Sequence, residues 1–393
     1  MLKKNTGYFY NFKLIVLILT VWLPISCLLG GENNVSDLTA FILYIGSYSN
    51  SNGEGIYIAK MNRETGALEL LKSMQAVNPS FLILHPNKKN LYAVNETQDF
   101  EGQPGGAVSA YSVDQLTGDL TLLNRQPTHG GSPCHVMVDK SGQYVVVANY
   151  GGGNVTVLPR QNDGSLGPAT DIVQHTGNSI NIQRQEAPHA HAVNLNPTSN
   201  YVYAVDLGID KVMIYKLDTI SGKLLTNEPA FFKAAAGSGP RHLAFHPNST
   251  YAFIINELNS TITSCACDTL TGALTEIHTV PTIPQDFKGG NSCAEVQVSP
   301  DGRFVYGSNR GHDSIAIFAF DENSGHLSLS GFESTRGRAP RYFTIDPTGE
   351  FLLAANSNSN NINVFRINKE KGTLQFTGHQ VNVSTPVCIQ FLY

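Results

Sequence analysis

Leu243-Ala-Phe-His-Pro-Asn-Ser-Thr-Tyr-Ala-Phe-Ile-Ile-Asn256 consists of two apolar runs around a Pro-Asn-Ser break. Alternation in Leu243-Ala-Phe245 and the aromatic and β-branched run Tyr251-Ala-Phe-Ile-Ile255 read as two strands, joined by a tight turn. The arrangement recurs along the chain. A Pro or its equivalent stands at Pro86, Lys140, Pro197, Pro247, Pro300 and Pro347, and nine residues later come Asn95, Asn149, Asp206, Asn256, Asn309 and Asn356. Six agreements at one offset define a repeat. A second landmark, Gly-x-Leu, falls at Gly66, Gly118, Gly164, Gly222, Gly272, Gly325 and Gly372, at intervals of 52, 46, 58, 50, 53 and 47 residues.

Each unit of about 50 residues reads strand, turn, strand, loop, strand, turn, strand, the content of a β-propeller blade. No amphipathic helical pattern of convincing length interrupts it. Pro386-Val-Cys-Ile-Gln-Phe-Leu392 matches a first strand but ends the chain, and Phe41-Ile-Leu-Tyr-Ile45 begins as a second strand. The fold class is therefore all-β: a seven-bladed β-propeller with four antiparallel strands per blade, the last blade closed by both termini. Its expected extent is residues 41–393, after a linker at 28–40.

Composition narrows the function classes. With 41% hydrophobic and 15% charged residues, the 393-residue chain is too apolar for a disordered tail. Its net charge of −5 and lack of a basic run argue against a nucleic-acid partner. The single Trp, Trp22, lies in the N-terminal apolar stretch, which leaves no Trp for a WD-type repeat.

Residues 1–27 read as an export signal. Lys3, Lys4 and Lys13 precede the apolar run Leu14–Ile25, and Leu23-Pro-Ile-Ser-Cys27 resembles a bacterial lipoprotein box with Cys27 as the lipidated residue. The competing reading is a retained anchor over Leu14–Gly31, which Pro24 and the glycines weaken. The expected location is periplasmic or membrane-anchored, with membrane contact only through a lipid on Cys27. The other cysteines, Cys134, Cys265, Cys267, Cys293 and Cys388, are odd in number and scattered, which fits small core residues better than a disulfide framework.

The hairpin arithmetic locates a site. If each inner hairpin turns two residues after its landmark, the residue six before faces the residue ten after, so Arg241 stands opposite Glu257. In a propeller these positions converge at one mouth of the central channel. The titratable residues at or beside them are Glu96, His135, His189, His191, Arg241, His242, Glu257, Glu295, Arg310 and Arg341. Three arginines can hold a carboxylate or phosphate through paired N–H donors, and His and Glu can exchange protons. The set reads as a metal-independent, cofactor-free site for a small anionic substrate.

Structural readings stand beside this one. Arg241 and Glu257 also suit a rim ion pair, His242 a packed core residue, Glu295 a strand terminator, and Glu96 and Arg341 solvated mouth charges. His189-Ala-His191, with His135 or Glu295, has spacing that can serve a metal.

At Arg184-Gln-Glu-Ala-Pro-His-Ala-His191, Gly239-Pro-Arg-His242, Asn256-Glu257, Ser308-Asn-Arg-Gly311 and Ala339-Pro-Arg341 the chain resembles the lactonase family of seven-bladed propellers. That family includes propeller-type bacterial 6-phosphogluconolactonases and fungal carboxymuconate-lactonizing enzymes. The resemblance implies hydrolysis of an anionic sugar-acid lactone. The His, two Arg and Glu proposed as active-site residues in the lactonizing branch match His191 (or His189), Arg241, Arg310 and Glu257. The remaining mouth residues would then bind substrate. Cycloisomerisation of an unsaturated dicarboxylate and a noncatalytic exported ligand-binding propeller are the alternatives. Export conflicts with a phosphorylated substrate, which is an intracellular metabolite.

Overall fold

The computed structural model describes residues 39–49, 54–198 and 201–393, together with the isolated Gly7. The expected leader, its lipidation site Cys27 and the linker through residue 38 lie outside the described residues. Seven four-stranded antiparallel sheets account for the repeats, and no helix occurs among the described residues. One addition is a small hairpin, Asp99–Phe100 with Gln103–Pro104, inserted in the first repeat.

Closure follows the expected pattern. The last blade runs Leu68–Met74, Ile56–Asn62, Ala40–Ser47 and then Pro386–Leu392, with Tyr44 opposite Gln390 and Ile45 opposite Ile389. The innermost strands of the other six are Leu82–Leu84, Pro133–Val138, Ala190–Leu195, Pro240–Phe245, Ser292–Val298 and Pro340–Ile345.

The Gly-x-Leu glycines lie in the turns that join the two outer strands, and all seven have φ between 68° and 93°. Glycine adopts this left-handed conformation without the Cβ penalty. The turns also fasten neighbouring blades. Tyr44, Tyr92, Tyr203 and Tyr306, each fully buried, donate their hydroxyls to the carbonyls of Gly118, Gly164, Gly272 and Gly372 at 2.8–3.0 Å. Thr170 and Ser264 do the same for Gly222 and Gly325. These phenols bring large apolar area to the blade interfaces while their polar tips stay satisfied.

The Asn/Asp landmark is buried in every blade where it occurs. Asn95, Asn149, Asn309 and Asn356 donate from Nδ2 to the carbonyls of Val77, Thr128, Thr282 and Thr335, which ties each inner hairpin to its incoming loop. Asp206 has no such donor; its Oδ2 accepts from Nδ1 of buried His175 at 2.6 Å. The five cysteines described are free and buried, as small core residues should be.

Candidate active site at the channel mouth

Arg241 does not pair directly with Glu257. Pro240 faces Asn256 and His242 faces Ile255, which leaves Arg241 as the extra residue of a β-bulge. The unbroken ladder expected from the sequence is out of register by one residue at His242 and, beyond the bulge, by two at Pro240. The interruption recurs at Cys134, His191, Arg341 and Val387, and in the fifth whole blade it spans Ala294 and Glu295. A bulge bends its strand and re-aims the unpaired side chain. Cys134, Arg241, Arg341 and Val387 consequently line one cavity, together with Tyr48 and Glu96.

Glu257 is the hub. Its Oε1 lies 2.7 Å from Arg184 Nη2, and its Oε2 lies 3.1 Å from Arg241 Nε and 2.8 Å from Arg310 Nη2. Burial alone would raise its carboxyl; Arg310 and Arg241 outweigh that, with help from His191 and Arg184, and hold it well below the usual carboxylate range. Arg241 Nη1 and Arg310 Nη2 are anchored on the carbonyls of Ala294 and Cys293 at 2.6 and 2.7 Å. Nε of both arginines is buried without a hydrogen-bond partner among the described residues. Burial, then the charges of Arg341 and Arg310, bring Arg241 down to about 9.

Beneath this layer the histidines form a wall. Arg241 Nη1 lies 3.2 Å from His242 Nε2, and His242 Nδ1 lies 3.0 Å from Glu295 Oε2. Guanidinium can only donate, so Nε2 accepts and Nδ1 carries the proton that Glu295 receives. These are the bonds of an ionised Glu295, although burial pushes its carboxyl up to about 8 against Arg241 and the Val296 N–H. Protonation would reverse the Nδ1 bond and turn an Nε2–H against Arg241. His135 and His191 have ring centroids 5.2 and 5.3 Å from His242. Burial and Arg241 bring His135 down to about 3 and hold His191 and His242 well below 6.5, so all three are uncharged in neutral solution.

The opposite side of the cavity carries a second chain. Arg341 Nη2 donates to Tyr48 Oη at 3.0 Å, Tyr48 donates to Glu96 Oε2 at 2.9 Å, and Ser80 donates to the same oxygen. His189 stands apart, stacked on Tyr150 at 4.4 Å with Nδ1 bonded to the Tyr150 carbonyl. Among the described residues no three His, Cys, Asp or Glu side chains converge to hold a metal. Four arginines face the carboxylates of Glu257, Glu295 and Glu96, so positive charge is in surplus.

Tyr48, Tyr150 and Arg184 were not among the expected site residues, although Arg184 opens the family-resembling stretch that ends at His191. Tyr48 and Tyr150 are at the positions equivalent to Glu257 in their own hairpins, as Ser47 opposite Pro386 and Asn149 opposite Pro133 show. Extending the offset to non-titrating tyrosines, and through the joined termini, would have found them. Arg184 lies on the loop between Asp171–Gln174 and Ala190–Leu195, inside the 58-residue interval, the longest of the repeats. That extra length was the available signal.

The comparisons with known proteins agree with this architecture. Residues 42–391 match the family model described as lactonase, 7-bladed beta-propeller. The chain is 41% identical to a 6-phosphogluconolactonase of Bacillus subtilis, over 91% of this chain and 99% of that protein. A 6-phosphogluconolactonase of Formosa agariphila is 36% identical over 77% of this chain and 86% of its own length. The solved structure of a periplasmic gluconolactonase from Pseudomonas aeruginosa superposes with a TM-score of 0.85 at 31% identity, covering 90% of this chain and 99% of that one. The chain belongs to the family of lactonases built on a seven-bladed β-propeller.

Proposed function

We propose that the channel mouth hydrolyses an anionic sugar-acid lactone of the 6-phosphogluconolactone type. The observation that carries this reading is the convergence of Arg184, Arg241 and Arg310 on the single carboxylate of Glu257. Three cations around one anion leave charge for a phosphate or carboxylate to neutralise, and Arg310 Nε, buried without a hydrogen-bond partner, supplies a donor that such a ligand can accept. The Bacillus relative, 41% identical, supports the phosphorylated substrate.

Ester hydrolysis needs a base for water and a donor for the oxyanion. Glu257 takes a proton from water, whose oxygen bonds to the lactone carbonyl carbon while the carbonyl electron pair moves onto oxygen. Arg241 stabilises that oxyanion, a role worth roughly 10²–10³ in rate per donor in other hydrolases. Collapse breaks the ring C–O bond, and the departing alkoxide takes the proton from Glu257. Arg310 and Arg341 hold the anionic group. His191 is a poorer base, because burial and Arg241 hold its basicity down, whereas the exposed Arg184 can be drawn away from Glu257 by substrate. His242 and Glu295 position Arg241; His135 packs the floor against Phe81.

Export with lipidation at Cys27 is part of the same reading. The basic, apolar and cysteine segments of residues 1–27 support it, as does the periplasmic relative. An extracytoplasmic chain would meet plain aldonolactones more often than phosphorylated ones. Proton release by the purified protein on phosphorylated lactone and plain aldonolactone, set beside proton uptake on an unsaturated dicarboxylate, tests the function. Acceleration of lactone opening supports it, and conversion of the dicarboxylate alone would overturn it. Mass spectrometry of the mature N-terminus tests export, since an intact Met1 excludes cleavage.

A further inference from the structure

We propose that Arg184 senses the substrate: an anionic group on the lactone draws its guanidinium away from Glu257 and so releases that carboxylate to act on water. The inference rests on the lactonase reading and extends it to substrate selection.

Of the three arginines on Glu257, Arg184 is the one built to move. Its side chain is 40% exposed, against 16% for Arg310 and 3% for Arg241. Arg241 and Arg310 are pinned to backbone carbonyls, whereas the partners of Arg184 are Glu257 Oε1 at 2.7 Å and the Tyr150 hydroxyl at 3.3 Å. The loop beneath it is fixed. Gln185 is fully buried, donates from Nε2 to the Leu207 carbonyl at 2.8 Å, and accepts the Asn181 N–H on Oε1 at 3.1 Å. The backbone thus stays in place while the guanidinium has room to swing into solvent.

Arg184 also holds Oε1 alone, while Oε2 is shared by the other two arginines. Its departure exposes one oxygen of Glu257 and removes one of three neighbouring cations, and both changes favour proton transfer from water. Arg184 gives Glu257 one hydrogen bond from Nη2, and a phosphate can accept a pair from the same guanidinium, so the exchange costs little. An uncharged lactone offers no such exchange and meets a Glu257 still clamped on both oxygens. Selectivity for anionic lactones therefore follows from activation of the base as well as from binding.

The test compares the wild-type protein with Arg184→Gln and Arg184→Lys in two measurements. One is calorimetric binding of inorganic phosphate and of 6-phosphogluconate; the other is kcat/KM for phosphorylated and plain gluconolactone from pH 8 down to the lowest pH at which the protein stays folded. Arg184→Gln should bind both phosphate probes about tenfold more weakly, and its preference for the phosphorylated lactone should fall by about tenfold or more. The acid limb with plain lactone should move to higher pH, because Glu257 has lost a cation. Arg184→Lys should restore part of the preference. Equal losses on both lactones with an unmoved acid limb, or phosphate binding unchanged in Arg184→Gln, would overturn the proposal. If the wild-type protein opens neither lactone, the lactonase reading falls by itself. Phosphate binding then still decides the role of Arg184: weaker binding in Arg184→Gln supports the anion contact, and equal binding removes it.

Discussion

Arg241 and Glu257 stand 3.1 Å apart at the open end of one hairpin because Arg241 is the extra residue of a β-bulge. In a regular ladder, neighbouring side chains alternate between faces. The bulge breaks that alternation at the mouth, and its recurrence at His191 and Arg341 aims residues from distant blades at one opening. Chemistry is thus concentrated where the sheet is irregular, while the regular strands behind it carry the packing.

Glu257 couples stability to acid. Its folded carboxyl lies below its ordinary value of 4.5, so the stabilisation from its arginines is complete above about pH 4.5 and is lost as pH falls toward the folded value. Glu257→Gln leaves three arginines without their carboxylate and should cost about 3–5 kcal/mol at neutral pH. Denaturant melts at pH 7 and pH 3 should show the gap between variant and wild type closing in acid. A gap independent of pH would contradict the clamp.

Glu295 acts with the opposite sign. Its folded carboxyl is raised to about 8, so the unfolded chain ionises first and the native state loses stability as pH rises from about 4.5 to 8, with no further loss above that. Glu295→Gln retains an acceptor for the His242 Nδ1 proton and removes the titration. Thermal denaturation at pH 5, 7 and 9 should show the variant gaining on wild type from pH 5 to 7 and by a smaller step from 7 to 9. Parallel curves would exclude a raised Glu295.

The turn glycines separate strain from packing. Gly66 and Gly102 have φ of 75° and 78°, but a Cβ on Gly66 would meet the Phe351 ring at 2.8 Å, whereas one on Gly102 would meet nothing within 4 Å. Gly102→Ala should cost about 1 kcal/mol from backbone strain alone. Gly66→Ala adds overpacking, typically about 1–3 kcal/mol more. Chemical denaturation of both variants measures the difference, and equal costs would show that the interface gives way freely.

Loss of the last eight residues should unfold the ring. Pro386–Leu392 supplies the buried side chains Val387, Cys388, Ile389 and Phe391 and the hydrogen-bonding partner of Ala40–Ser47. Burial at about 1.5–3 kcal/mol for each large apolar side chain reaches the scale of a whole domain's stability, about 5–15 kcal/mol. Circular dichroism of a chain ending at Thr385 should show a lost or greatly lowered transition. Undiminished thermal stability would contradict closure by this strand.

Most of the fold was legible in the chain because its landmarks have local causes. Gly66 and its six counterparts require left-handed turns, and the buried Asn309 type ties hairpin to loop, so both recur at fixed offsets. The bulges left no such trace. Cys134, His191, Arg241 and Arg341 share a position but no one residue type, and the coordinates show that the ladder slips there. The candidate site was legible in part for the same reason: residues at repeat offsets were found, whereas Arg184 enters from a loop that belongs to no repeat. His135, His242 and Glu295, expected as substrate contacts, are buried, and His242 lines the cavity beside Arg241 and Arg341.

Under the proposed function Glu257, among its arginines, is the base that opens the lactone. Its most direct test is the rate of proton release from 6-phosphogluconolactone, corrected for spontaneous opening, with wild type and Glu257→Gln at equal folded concentration. Wild type should accelerate ring opening clearly, and the variant should lose about 10²–10⁴ in kcat. Full turnover by Glu257→Gln would contradict it.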